Sequence, residues 1–476
     1  MDGAAHQLAR FMEAKAAMTE RSINLVVPLA HKATAMRTTD TTGSRQERSG
    51  AVSPLISSGF RQGDVDSTTG TLPTPTTPGI RTSTTATRTT TTPTTSSGPE
   101  PSADRTVQHH ADVSFAELVQ AYLDCRRTKR NSATALDFEA NQEHNLFQLY
   151  QELLDGSYRP GRSICFVITR PKAREVWAAE FRDRIVHHLF YNRIAPRFYA
   201  RFIADSCACI PGRGTLYAAQ RLEAKVRSIT QNWSRPAYYL KCDLANFFVR
   251  IDKHILREQI AEHVTEPWWM WLADTILFHD PRQDVDLRCR PDLLSRVPEH
   301  KRLGNQPAHL GLPIGNLSSQ FFANIYLNSL DQFIKHQIGA RHYIRYVDDF
   351  VILHESARWL NEARDCIEAF LQTRLHARLN PTKTILQPVA RGIDFVGQVI
   401  KPWHRETRKR TANEAMTRAR TVPADDLHPT ANSYFGLFRQ STASHRQCCR
   451  LANHLRRRGH TINGAITKTY RRSNHA

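Results

Sequence analysis

The 476-residue chain has no run of 18 apolar residues, so no segment is long enough to cross a bilayer as a helix. INLVVPLA near the start is too short, is interrupted by Pro28 and lacks a cleavage region, which argues against a signal peptide. Paired C-x-x-C spacing is also missing. The nine cysteines are scattered at 125, 165, 207, 209, 242, 289, 366, 448 and 449. Zinc ribbons and disulfide frameworks are therefore disfavoured, and reduced thiols in a cytoplasmic protein with no membrane association are expected. Acidic residues are in deficit: 45 Asp and Glu stand against 65 Lys and Arg, for a formal charge of +20 and a pI of about 9.8. The excess is uneven. Residues 1–110 hold 11 basic and 9 acidic side chains (+2), whereas 401–476 hold 16 and 4 (+12). A C-terminal section this basic points to a polyanion, most simply a nucleic acid, with a merely soluble basic surface as the alternative.

Apolar periodicity is missing from the first hundred residues. RTSTTATRTTTTPTTSS (81–97) contains ten threonines in seventeen residues and cannot bury enough surface to offset the entropy of ordering it. Residues 1–110 are read as a disordered Thr/Ser/Pro-rich extension, with a weak helix over AHQLARFMEAKAAM. Order begins at SFAELVQAYLDCRR. There Ser114 and Glu117 have capping-box spacing, and Phe115, Leu118, Val119, Tyr122 and Leu123 are expected on one helical face. A second helix in NLFQLYQELLDG should end at Gly156. Alternating short strands and helices then run to about 400, predicting an α+β fold. A polar stretch over 280–310 is expected to loop out, and 401–476 to form a basic helical subdomain.

The chemistry lies in two acidic positions. RYVDDFVIL places Asp348 and Asp349 between runs rich in β-branched and aromatic residues, which predict two buried strands. An isolated Asp-Asp pair usually marks an exposed turn; apolar flanks on both sides make a buried pair the better reading here. Burying unpaired charge is expensive, so a positive partner is required. A third carboxylate, Asp243, ends the strand expected at Tyr238–Leu240, before the aromatic pair Phe247–Phe248. Three carboxylates brought together suit hard divalent ions. Two such ions about 4 Å apart can activate a hydroxyl and stabilise a leaving oxygen in phosphoryl transfer.

KCDLANFF (241–248), GLPIGNLSSQFFANIYLN (311–328) and YVDD (346–349) resemble motifs A, B and C of reverse transcriptases. The resemblance covers about 111–440 and implies a right-hand polymerase: fingers and palm over 111–400 and a helical thumb over 401–476. It implies Asp243 and Asp348 as metal ligands with Asp349 beside them, and two Mg2+ ions that Mn2+ can replace. RPKAREVWAAEFRDRIVHH (170–188) resembles the family's fingers segment. Lys172 and Arg174 would then meet the nucleotide triphosphate, with Arg182, Asp183 and Arg184 forming a structural ion-pair network. Phe248 falls at the steric gate that favours dNTPs, and Phe247 is expected in the core. In SCACIPGRGTLYAA (206–219), Gly212 and Gly214 would admit the template closely and Arg213 could contact phosphate. Lys383 in LNPTKT lies where the family has a lysine near the triphosphate, with a plain surface lysine as the alternative. GIDFVG (392–397) resembles the primer-grip hairpin, implying template or primer contacts at Gly397 and at Tyr346.

Within motif B, Ile314 replaces a common glutamine before Gly315, and Ser319-Gln320 replaces a common Ser-Pro. Both changes resemble reverse transcriptases of diversity-generating retroelements, as does the lack of an RNase H or H-N-H nuclease segment after the thumb. Isoleucine offers packing where glutamine can hydrogen-bond the incoming nucleotide, and one lost contact of that kind is worth roughly 1–3 kcal/mol. An error-prone enzyme is the expectation; packing-neutral isoleucine is the alternative. The implied partners are an RNA template, a DNA or RNA primer, dNTPs and a small basic accessory protein. Phage-defence and group II intron or retron-type enzymes stay open, as does a catalytically inactive RNA-binding protein. The basic runs RETRKR (405–410) and LRRRGH (455–460) are expected to track phosphates, while most of Trp403, Tyr434, Phe435 and Phe438 pack the thumb core. Trp268, Trp269 and Trp271 suggest a buried helix or, failing that, a partner surface.

Overall fold

The computed structural model describes residues 112–129, 132–170 and 172–470. The disordered extension and the weak helix expected over residues 1–110 lie outside the described residues. In chain order the strands are β1 (Ser163–Ile168), β2 (Arg174–Ala179), β3 (Tyr238–Asp243), β4 (Val285–Leu287) and β5 (His342–Tyr346). They continue with β6 (Asp349–His354), β7 (Ile385–Pro388), β8 (Ile393–Phe395), β9 (Gln398–Lys401) and β10 (His404–Thr407). The main helices before the C-terminal section are α1 (Phe115–Lys129), α2 (Ala133–Ala140), α3 (Gln142–Leu154), α4 (Phe181–Tyr199) and α5 (Thr215–Ile229). After them come α6 (Lys253–Ala261), α7 (Pro267–Phe278), α8 (Leu317–Gln332) and α9 (Ala357–Arg374).

The central sheet is antiparallel with strand order β5-β6-β3-β7. Its strands read as nearly unbroken apolar runs because both faces are covered, so alternation has nothing to distinguish. Leu240, Cys242, Tyr343, Phe350 and Ile352 belong to the larger core, which includes Phe190 of α4, Phe322 and Tyr326 of α8, and Ile367 of α9. Tyr239, Ile344, Val351 and Leu353 face the other way, onto Leu222 and Val226 of α5 and onto Ile393, Phe395 and Ile400. The last three come from a small sheet of order β10-β9-β8, in which GIDFVG supplies β8 and the turn into β9. A third sheet, order β2-β1-β4, takes two strands from before the first acidic strand and one from after it.

Several local expectations hold. The capping box forms, with Ser114 N–H donating to Glu117 Oε2 at 2.9 Å and Glu117 N–H to Ser114 Oγ at 3.2 Å. Gly156 takes φ +75° just after α3. Cys165, Cys207, Cys209, Cys242, Cys289, Cys366, Cys448 and Cys449 are free thiols. Trp268 and Trp269 are buried in α7, with Trp271 packed partly against the same core.

Other expectations need correction. On α1 the buried stripe is Leu118, Ala121, Tyr122 and Cys125; Phe115 and Leu123 are 39% and 50% exposed, because the core reaches only one narrow side of the helix. The 280–310 stretch is pinned as well as looped: β4 adds parallel to β1, and Leu303 N–H donates to Glu175 Oε2 at 2.9 Å.

The C-terminal section folds around a separate core made by α10 (Lys409–Thr421), α11 (Ala424–Phe438) and α12 (His445–Arg457). Phe435 and Phe438 are buried in it and Tyr434 packs beside them, but Trp403 is 61% exposed in the β9–β10 turn. Arg405 is not a phosphate tracker either. It is buried, donating from Nε to Glu223 at 2.7 Å and from Nη1 to Gln398 and to the Gln440 carbonyl, both at 2.8 Å.

The deepest charge is Arg345 on β5. Its guanidinium forms a two-pronged ion pair with Asp331 of α8 at 2.8 and 2.6 Å, with side-chain exposures of 1% and 0%. Tyr343 donates to the same carboxylate at 2.6 Å, and Arg345 also reaches Ser206 Oγ at 3.0 Å and Asn324 Oδ1 at 3.2 Å. Removing one partner of such a pair strands a buried charge, which typically costs about 3–5 kcal/mol. Asp331→Asn should lower the unfolding free energy by about that amount in urea denaturation, and a change under about 1 kcal/mol would show that the pair is not structurally required.

Candidate active site

Strand register brings the acidic positions together. Asp243 at the end of β3 is the cross-strand partner of Asp349 at the start of β6, and Tyr346 pairs with Asp349 from the other side. Directly opposed residues in antiparallel strands have Cα atoms about 4.5–5.5 Å apart. Asp348 lies in the β5–β6 turn, where its carbonyl accepts from Leu244 N–H at 3.2 Å. The turn needs Val347 at φ +57°, an unfavourable conformation for a β-branched residue. Arg345 compensates by donating from Nη1 to the Val347 carbonyl at 3.0 Å. The buried ion pair thus reaches the backbone that carries both aspartates.

Each outer carboxylate meets a lysine. Lys383 Nζ contacts both oxygens of Asp243 at 2.6 and 2.7 Å. Lys241, two residues before Asp243 and on the same sheet face, reaches Asp349 Oδ2 at 3.0 Å and donates to the Asp394 carbonyl at 2.7 Å. The other Asp349 oxygen is buried without a hydrogen bond. Burial, more than neighbouring charge, pushes Asp349 up to about 6, against the pull of Lys241. Burial and then the charge of Asp243 raise Asp348, while Lys383 and Arg174 oppose the shift. Lys172 is lowered first by Lys383, then by burial and by Lys301, Arg410 and Arg174, so cations crowd the same opening.

Among the described residues no group of three His, Cys, Asp or Glu side chains is gathered closely enough to hold a metal ion. The all-oxygen donors of Asp243 and Asp348 nevertheless suit a hard divalent cation, and the orphaned oxygen of Asp349 and the lysine seated on Asp243 both mark a demand for positive charge. Lys241 meets Asp349 through one oxygen only, whereas Lys383 meets both oxygens of Asp243.

The remaining predicted positions are distributed around this point. Phe248 is half-buried against the main core, and its carbonyl accepts from Leu312 N–H at 2.8 Å; Phe247 is buried as expected. Ile314 is half-buried, and its carbonyl accepts from Trp177 N–H on β2 at 2.7 Å. Gly315 has φ +137°, and a Cβ there would lie 2.8 Å from the Trp177 carbonyl, so only glycine permits this approach. Gln320 is exposed and accepts from Cys209 Sγ at 3.3 Å. Gly212 and Gly214 border open space, and Gly397 occupies the β8–β9 turn at φ +86°. Arg213 is committed elsewhere, donating from Nη1 to the carbonyls of Ile203 and Ser206, both at 2.8 Å, so those bonds hold its own loop together. Arg182 and Asp183 form the expected ion-pair network: Arg182 pairs with Glu152 and Asp183, and buried Asp183 accepts from Tyr158 at 2.9 Å. Arg184 donates to the Ala179 carbonyl at 2.7 Å.

Sequence reasoning missed Lys241, Asn380 and the Arg345–Asp331 pair. Asn380 N–H donates to the Asp243 carbonyl at 2.7 Å, docking the LNPTKT turn onto the acidic strand.

The raised Asp349 has a definite consequence. Without divalent ions the folded protein keeps this proton at pH values where the unfolded chain has lost it. The group's stabilising contribution is present at low pH and lost as pH rises from about 4 to about 6. Asp349→Asn should fall less steeply in stability across that window, as followed by urea denaturation; parallel curves would contradict the assignment.

Residues 170–400 match the family model described as Reverse transcriptase (RNA-dependent DNA polymerase). No curated protein sequence matches the chain. Among solved structures 283 chains match. One is apo telomerase from Candida tropicalis, truncated from its C-terminal domain, at 14% identity and a TM-score of 0.38. That match covers 52% of this chain and 55% of the telomerase chain, about half the length of each.

Proposed function

We propose, from the match of residues 170–400 to the reverse transcriptase family, whose members are RNA-dependent DNA polymerases and hence nucleotidyltransferases, that this chain copies RNA into DNA. The observation that carries the proposal is the cross-strand pairing of Asp243 with Asp349, with Asp348 in the adjoining turn and Lys383, Lys172 and Arg174 around the opening. In the reaction the primer 3′-oxygen attacks the α-phosphorus of a dNTP, forming one P–O bond and releasing pyrophosphate.

The family generally uses divalent metal ions. Two Mg2+ ions, with Mn2+ as a substitute, would be held by Asp243 and Asp348, and when bound they supply activation of the hydroxyl and neutralisation of the leaving group. Lys172 and Arg174 would bind the triphosphate, and Phe248 would exclude a ribose 2′-hydroxyl. Gly214, Tyr346 and Gly397 would line the template–primer path. Arg213 would shape that path from behind, through the carbonyls it holds. We assign 111–400 to fingers and palm and 401–476 to the thumb, where exposed arginines of α12 would meet the duplex. The domain order and the absence of a membrane-length helix among the described residues suit a cytoplasmic enzyme working on RNA template and primer.

The finer reading is an error-prone enzyme of the diversity-generating retroelement type, working with a small basic accessory protein. Ile314 supports it: the backbone of this residue is fixed on β2, so the side chain's chemistry, and not its position, is what differs from glutamine.

Primer extension on an RNA template with Mg2+ should proceed in the wild type and vanish in Asp348→Ala while RNA binding persists; extension by that variant would overturn the proposed site. Sequencing cDNA from wild type and Ile314→Gln should show fewer errors in the variant, concentrated at template adenines, and equal error rates would refute the role given to Ile314.

A further inference from the structure

Lys383 is held in an unusual way. Its backbone belongs to a turn anchored on the residue it contacts: Asn380 N–H donates to the Asp243 carbonyl at 2.7 Å, and Lys383 N–H donates to the Asn380 carbonyl at 3.0 Å. Thr382 closes the turn onto Asn380 Oδ1 at 2.8 Å. The anchor is rigid and the side chain is not, since four rotatable bonds separate its ammonium from that backbone. The ammonium now spans both oxygens of Asp243 at 2.6 and 2.7 Å, so the carboxylate's strongest acceptor directions are taken. The lysine side chain remains 46% exposed while that of Asp243 is 14% exposed, so a path out to solvent lies on the lysine side. Lys383 is also the charge that most strongly lowers the Lys172 ammonium.

We propose that Lys383 is an exchangeable counter-ion, neutralising Asp243 until a divalent cation arrives and then swinging to complete the cationic pocket of Lys172 and Arg174. The inference rests on the polymerase reading above and adds a coupling to it. Because one ammonium cannot serve both positions, metal on Asp243 and anionic phosphate on Lys383 favour each other, and linkage makes that preference reciprocal. A second consequence concerns the metal-free enzyme, whose phosphate pocket lacks one of its three cations.

The test is Mn2+ binding to the full-length protein without nucleotide, read from the loss of the free-ion electron paramagnetic resonance signal at neutral pH. Lys383→Ala should tighten Mn2+ binding about fivefold, in keeping with the loss of one partly exposed competing ion pair. Lys383→Arg, which keeps the pair, should bind as the wild type does. Lys172→Ala removes an equal charge from the same opening without touching Asp243, and should change the affinity less than about twofold. Unchanged or weaker binding in Lys383→Ala would overturn the inference, as would an equal effect in Lys172→Ala, which would reduce it to a general field. Asp243→Asn should abolish the site. If Mn2+ binds that variant as it binds the wild type, the metal-dependent reading itself fails; if only the Lys383 effect is missing, that reading stands and the exchange does not.

Discussion

A guanidinium sealed inside the protein organises the acidic site. Arg345 is tied to Asp331 across the β5–α8 boundary and spends its remaining donors on Asn324, Ser206 and the carbonyl of Val347. Buried ion pairs seldom add net stability over an apolar filling of equal volume. What this one adds is position: a left-handed valine is hard to hold, and the arginine gives its carbonyl a fixed partner. The two aspartates then follow from that turn in a direction set by packed elements on either side. Precision of this kind is what a phosphoryl-transfer site needs, because its chemistry is mostly placement of charge.

Charge balance is the second constraint. Carboxylates at 243, 348 and 349 face lysines at 241 and 383, and burial still lifts Asp348 and Asp349 above the ordinary range. The protein's own cations are therefore insufficient to satisfy the site, and the deficit falls on the turn that faces the opening. Lys241 and Lys383 differ in how they respond. Lys241 is locked between Asp349 and the Asp394 carbonyl, whereas Lys383 has one partner and solvent behind it.

The acidic motifs were readable in the chain because their strands are covered on both faces, which leaves a long apolar run with a carboxylate at its end. The α+β alternation, the capping box at Ser114 and the glycine stop at 156 were readable for a similar reason: each depends on residues within a few positions of one another. What escaped depends on distant pairing. Nothing near Asp331 marks it as the partner of Arg345, and nothing near Lys241 shows that it will sit across from Asp349. Arg213 and Arg405 look like phosphate contacts in the sequence because basic residues beside glycine or aromatics resemble a binding surface. Both instead bind groups of the protein itself, Arg213 backbone carbonyls and Arg405 a glutamate as well. Exposure on α1 was misjudged because the helix meets the core along a narrower strip than its pattern of large residues suggested.

The C-terminal helices carry their own apolar centre, and Arg405 fastens the adjoining β9–β10 hairpin to α5 and to the Gln440 carbonyl just past α11. Three directional donors from one buried guanidinium fix how the hairpin is oriented toward both elements, because hydrogen bonds weaken steeply when they are bent.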